Sequence, residues 1–113
     1  MHELSIAQNI VELAADEAGK AGAVRVVSIT LSLGDLSGVV DEQLRFCFPI
    51  VAQGTIVEGA ELRVERVAGV GYCRRCDDTF DLPSLLVPCP RCGEYTHEIR
   101  AGQELLVASL EIE

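Results

Sequence analysis

Four of the five cysteines fall in two pairs, Cys73-Arg74-Arg75-Cys76 and Cys89-Pro90-Arg91-Cys92, with twelve residues between them. Two residues between cysteines bend the chain tightly enough for both sulfurs to face one point. Two such pairs supply four thiolates, the set that zinc takes in a tetrahedron at about 2.3 Å. Gly93 follows the second pair and can adopt the positive φ that such a turn needs. Iron in the same cage is the chemical rival, and disulfides are a third arrangement. Four thiolates leave no open coordination position, so the predicted role is structural rather than catalytic. With zinc bound, the formal charge of the chain is about −11.

The second candidate lies at the chain start, Met1-His2-Glu3. A histidine in second position can chelate through the terminal amine, its own amide nitrogen and the imidazole. These donors form fused rings in one plane, a geometry that suits Ni(II) or Cu(II). Glu3 offers a carboxylate, or its amide as a fourth in-plane nitrogen. The bulk of His2 predicts that Met1 is retained, which keeps the register of the chelate. The competing reading is a solvated histidine on a frayed end. His97, the only other imidazole, reads as a surface residue that could complete a site if the insert folds back. Cys47 sits on an apolar helical stripe and reads as a small core residue.

These groups need a scaffold. Ile6, Ile10, Leu13 and Glu17, widened by Leu4, Ala7, Val11 and Ala14, predict a first helix. Ser5 and Gln8 match a capping box, and Gly19 and Gly22 are candidate stops. Arg25 to Leu33 alternates, with Val27, Ile29, Leu31 and Leu33 on one face and Ser28, Thr30 and Ser32 on the other. Asp41 is a candidate N-cap for a second helix carrying Leu44, Cys47, Phe48 and Val51, which Pro49 should kink or end. Glu61 to Val67 is a second strand with Leu62 and Val64 inward. Gln103 to Ile112 is a last strand, with Leu106, Ala108, Leu110 and Ile112 on one face. The first two strands, joined through a helix, belong in one sheet. The prediction is an α+β fold: a small three-stranded sheet covered by two helices, with an inserted four-cysteine, zinc-ribbon-like lobe. Residues 1–68 and 102–113 form the α/β domain and 69–101 the insert. The insert holds few large apolar groups, and a metal can supply the missing stability.

Composition narrows the function. The chain has 113 residues, 49% of them hydrophobic and 24% charged, which fits one globular domain with a small insert. No apolar run reaches the length of about 20 residues that a membrane span needs. Met1-His2-Glu3 lacks the basic region of a signal peptide, so the expected compartment is the reducing cytoplasm. The net charge of −9 repels phosphate backbones and anionic membranes, and it suits a protein that handles cations or meets a basic partner. No nucleophile–base pair or phosphate loop is present, so no enzyme activity is expected.

Met1-His2-Glu3-Leu4-Ser5, the two cysteine pairs, Leu31-Ser32-Leu33-Gly34, Leu44-Arg45-Phe46-x-Phe48 and the closing Leu110-Glu111-Ile112 together resemble the HypA/HybF family of hydrogenase nickel-insertion accessory proteins. The resemblance runs the whole chain. It implies a nickel metallochaperone that carries Ni(II) at its N-terminus, holds a structural Zn(II), and delivers nickel to the large subunit of [NiFe] hydrogenase with a HypB-like GTPase. Residue by residue, it implies nickel ligation by His2, with Glu3 as ligand or tuner and Asp41 as an extra ligand. It implies zinc ligation by Cys73, Cys76, Cys89 and Cys92. The histidines that flank the second cysteine pair in some members, tied there to an acid response, are missing here. The alternative is a zinc-ribbon module that binds protein or nucleic acid. The few aromatics of the insert (Tyr72, Phe80, Tyr95) count against nucleic acid, and Arg74, Arg75, Arg91 and Arg100 are its local positive charges.

Overall fold

The computed structural model describes residues 2–95 and 98–113. Met1 and His97, both weighed as possible metal contributors, lie outside the described residues. The element order is α1 (Glu3–Lys20), β1 (Val26–Gly34), α2 (Asp41–Ala52), β2 (Glu61–Val67), β3 (Val70–Cys73), β4 (Asp78–Asp81), β5 (Glu98–Ala101) and β6 (Leu105–Ile112). Two three-stranded sheets result, in the orders β2-β1-β6 and β4-β3-β5. The expected α+β architecture with a cysteine-bearing lobe is thus present. The lobe, for which no strand was predicted, contains a three-stranded sheet of its own.

The chain divides into two compact units: residues 1–31, 39–65 and 106–113, and residues 32–38 and 66–105. In the first unit α1 and α2 pack on each other. Their buried residues (Ala7, Ile10, Val11, Ala14 and Ala18 from α1, Leu44, Phe48 and Ala52 from α2) join Val26, Ile29, Leu31, Val57 and Leu62 in the core.

The buried stripe of α1 is rotated from the one the periodicity suggested. Leu4 and Leu13 are exposed, and Ile6 is half-buried. Apolar residues surround most of this helix, so more than one stripe fits the pattern. Packing selects the stripe with the small side chains Ala7, Ala14 and Ala18, which allow close approach of a neighbour. The Ser5–Gln8 capping box does not form. The helix starts at Glu3 with His2 at the N-cap position and no side-chain cap. Gly19 lies inside the helix, and the chain turns at Gly22 with φ +72°.

Helix α2 also departs from expectation. Asp41 is its first helical residue rather than its cap, which is Val40. Pro49 does not end the helix; it sits on the exposed side, and Phe48 and Ala52 bury the last turn. Losing one hydrogen bond so near the C-terminus is offset by that packing. Cys47 and Val51 are half-buried.

In β1, Ser28 is buried although its face was read as solvent-exposed. In β6, Leu106 and Ile112 are exposed, and half-buried positions fall at Leu105, Val107 and Leu110, so strict alternation fails along this strand.

The second unit is built on β3, which pairs antiparallel with β4 on one side and β5 on the other. Its chain segments meet at glycines. A Cβ on Gly34 would lie 2.0 Å from the Gly102 carbonyl oxygen, and one on Gly102 (φ +109°) 2.6 Å from the Gly69 Cα. Only residues without a side chain let these backbones touch. Backbone bonds fix the junction: Gly34 N–H donates to Glu104 C=O (2.7 Å) and Leu36 N–H to Gly102 C=O (2.6 Å).

Candidate metal centres

The two cysteine pairs sit at matching turns. Cys73 ends β3, and Asp77, directly after Cys76, takes φ +51°. Gly93, directly after Cys92, takes φ +75°, as its position in the motif predicted. Aspartate is among the few non-glycine residues that tolerate this region. The Tyr72 hydroxyl donates to the Asp77 carboxylate and holds the first turn. Gly93 N–H donates to Cys89 C=O and Cys89 N–H to Glu94 C=O, both at 2.9 Å, and these bonds close the second.

The turns bring four sulfurs together. All four Sγ atoms lie within 4.8 Å of one another. Cys73 and Cys92 are 3.6 Å apart and Cys76 and Cys89 3.9 Å. Sulfurs on a tetrahedron with bonds of about 2.3 Å stand about 3.8 Å apart, so the cluster has the dimensions of a four-thiolate metal cage. All the cysteines are free thiols, so the disulfide arrangement does not occur. Cys73 and Cys89 are buried, while Cys76 and Cys92 are half-buried. Among the described residues this is the one such group of metal-binding side chains.

The cage is electrically uneven. The N–H groups of Cys92 and Arg91 point at the Cys89 sulfur and hold that thiol down to about 7. A shared proton with Cys92, together with burial, pushes Cys76 up to about 12. The arginines of the lobe do not form a free basic patch. Arg91 pairs with Asp78 at 2.8 Å, Arg75 with Glu94 at 3.3 Å, Arg100 with Glu98 at 3.2 Å, and Arg74 also with Glu98. Arg100 stacks over the Tyr72 ring at 4.2 Å. This leaves little surface for a phosphate backbone.

The chain start is organised by a contact that local sequence does not reveal. His2 is exposed, and its carbonyl accepts from Ile6 N–H at 3.2 Å. Glu3 is buried, with 7% of its surface exposed. Its Oε2 accepts from the Val40 N–H at 3.1 Å, across thirty-seven positions of sequence. That N–H, and then Glu3's own N–H, hold the carboxyl below its ordinary value. One oxygen of the proposed ligand is therefore already engaged, and Glu3 joins the start of α1 to the N-cap of α2. Asp41 follows Val40 directly. Its Oδ1 pairs with Arg45 Nε at 2.8 Å, and Arg45 Nη1 also donates to the Leu62 carbonyl at 2.9 Å. The fold thus brings Glu3 to the residue next to Asp41.

Two helices, a three-stranded sheet and a second small sheet around four clustered thiols define a small α+β metal-binding protein. A family model described as "Hydrogenase/urease nickel incorporation, metallochaperone, hypA" matches residues 1–112, and the chain belongs to that family. The family consists of metallochaperones, maturation factors rather than enzymes. The chain is 44% identical over 113 residues, covering all of both chains, to the hydrogenase maturation factor HypA of Geobacter metallireducens. It is 46% identical over 114 residues to that of Roseiflexus sp., covering all of this chain and 93% of the relative. Its fold is similar to the solution structure of the Ni metallochaperone HypA from Helicobacter pylori, with TM-score 0.72 and 22% identity over 99% of this chain and 97% of that one. No helix among the described residues is long and apolar enough to cross a membrane.

Proposed function

We propose that this chain binds Ni(II) at its amino end and delivers it for the maturation of [NiFe] hydrogenase, while a Zn(II) ion in the cysteine cage keeps the second lobe folded. The observation that carries this division is the closed sulfur cluster. Four thiolates satisfy a tetrahedral ion and leave no position from which a cargo ion could be handed on. His2, by contrast, is exposed at the end of the chain. Its imidazole and the neighbouring backbone nitrogens give nickel the planar nitrogen set it favours. A shallow site of this kind exchanges its ion quickly.

Glu3 and Asp41 complete the proposed nickel set. Because Glu3 already accepts from Val40, only its second oxygen or its amide remains for the ion, and Asp41 must leave Arg45 to join. The nickel domain comprises 1–68 and 102–113, and the zinc domain 69–101. The acceptor is the hydrogenase large subunit, the helper is a HypB-like GTPase, and the work takes place in the cytoplasm. Calorimetric titration of Ni(II) into untagged protein and into His2→Ala tests the reading. Wild type binds one ion, and His2→Ala loses at least about tenfold in affinity, the ratio that a single coordinate bond worth more than 1.4 kcal/mol would give. Equal affinities would refute it.

A further inference from the structure

A shallow groove of about 440 Å3 opens on α2, lined by Val40, Glu42, Gln43, Phe46 and Cys47. Phe46 is 73% exposed, and Ile50, one turn further on, is 51% exposed. Val40, also in the lining, is 48% exposed. Scattered single leucines on a surface need no explanation, but an exposed aromatic ring and an exposed valine lining one groove do. Glu42 is the one charged residue in the lining. Among the described residues it has no ion pair, whereas its neighbour Asp41 is paired with Arg45. The groove therefore offers an apolar floor and an uncompensated negative charge, on a chain of net charge −9.

Its position carries the inference further. Val40 is both a wall of the groove and the residue whose N–H holds the Glu3 carboxylate. The groove thus begins beside the chain start. An ion passed by ligand exchange is gripped by donor and acceptor together, through bonds of about 2 Å. The protein that takes the ion must then lie on the surface around that chain start.

We propose that this groove is the docking site of the nickel-accepting protein, which presents an apolar side chain to Phe46 and Val40 and a Lys or Arg to Glu42. The inference rests on the nickel reading above. The apolar contact supplies the affinity, and the acidic rim supplies orientation and encounter rate. Cys47 lines the groove and is the one cysteine outside the cage, so in the metal-loaded chain its thiol would report occupancy while the four clustered sulfurs are engaged by the ion.

The test uses the full metal-loaded chain and purified nickel-free precursor of the hydrogenase large subunit. Phe46→Ser weakens docking about tenfold or more, the usual effect of removing an aromatic anchor. Glu42→Lys weakens it about threefold or more and reverses the effect of added salt. Phe46→Ser keeps the wild-type melting temperature and nickel affinity, because its side chain is uncharged and solvent-facing. Bound precursor slows alkylation of Cys47 by about fivefold or more, in proportion to the fraction of sites covered. Docking by Phe46→Ser within twofold of wild type would overturn the inference, as would unchanged alkylation of Cys47 in the complex. So would loss of a dimer of this chain, or of GTPase binding alone, with precursor docking intact. His2→Ala keeps the two readings apart: undiminished nickel affinity there refutes the ion site, whereas undiminished docking by Phe46→Ser refutes the groove alone.

Discussion

Stripping the metal from the cysteine cage will unfold the second unit and spare the helical one. The magnitude follows from what each unit buries. Among the described residues of the second unit, the buried side chains of any size are Leu33, Leu82, Cys73 and Cys89. Burial of the two leucines contributes about 1.5–3 kcal/mol each. A four-ligand zinc ion contributes about 10–16 kcal/mol of apparent free energy at neutral pH, as much as the whole stability of an ordinary domain. No packing in the lobe can stand in for that. The first unit instead buries Ile10, Val11, Val26, Ile29, Leu31, Leu44, Phe48 and Val57, none of which depends on the cage. The assay is amide hydrogen exchange read by mass spectrometry, before and after a strong chelator at pH 7. Protection disappears from β3, β4 and β5 and persists in α1 and α2. Cys73→Ser reproduces the chelated state. Protection of β3 that survives chelation would show that the sheet stands without its ion, and would refute the reasoning.

Three further outcomes follow from named contacts. Gly34→Ala places a Cβ against the Gly102 carbonyl at a distance no real contact has, and since that neighbour is backbone it cannot swing aside; the variant loses at least about 2 kcal/mol in denaturant unfolding, and wild-type stability would contradict the packing. The Glu3 carboxyl is depressed, so its contribution is fully present above 4.5 and is lost as pH falls through the lower folded value. The Val40 amide shift accordingly titrates with a midpoint below 4.5, and a midpoint at or above it would remove the contact. Glu3→Gln keeps an acceptor for Val40 and preserves protection of that amide, while Glu3→Ala abolishes it; equal protection in both would show that the bond does not hold the chain start.

The cysteine cage was legible because spacing alone determines where sulfurs can meet, and Gly93 announced the turn that closes it. The central strand was legible for the same kind of reason: two-residue alternation marks Ile29, Leu31 and Leu33 as the buried face, although Ser28 on the other face is buried as well. Helix α1 was visible as a helix but not in its orientation, because apolar residues surround it and only the partner α2 decides which stripe turns inward. The Glu3–Val40 bond had no local signal at all. It joins residues far apart in sequence, and a buried carboxylate looks no different from an exposed one in a string of letters. The glycine junction of Gly34, Gly69 and Gly102 was hidden likewise, since each glycine alone reads as a turn. Pro49 misled because its cost is judged within one helix, while the packing of Phe48 and Ala52 that offsets the cost is tertiary. The strands of the lobe were missed because β3, β4 and β5 are four residues each, too short for a period to emerge.

The division between cargo site and structural site is tested most directly by X-ray absorption at the nickel edge, on zinc-loaded untagged protein carrying one equivalent of Ni(II). The account predicts a shell of nitrogen and oxygen donors that includes an imidazole, lost in His2→Ala, with zinc still among four sulfurs. A nickel shell built of sulfur, unchanged by His2→Ala, would contradict it.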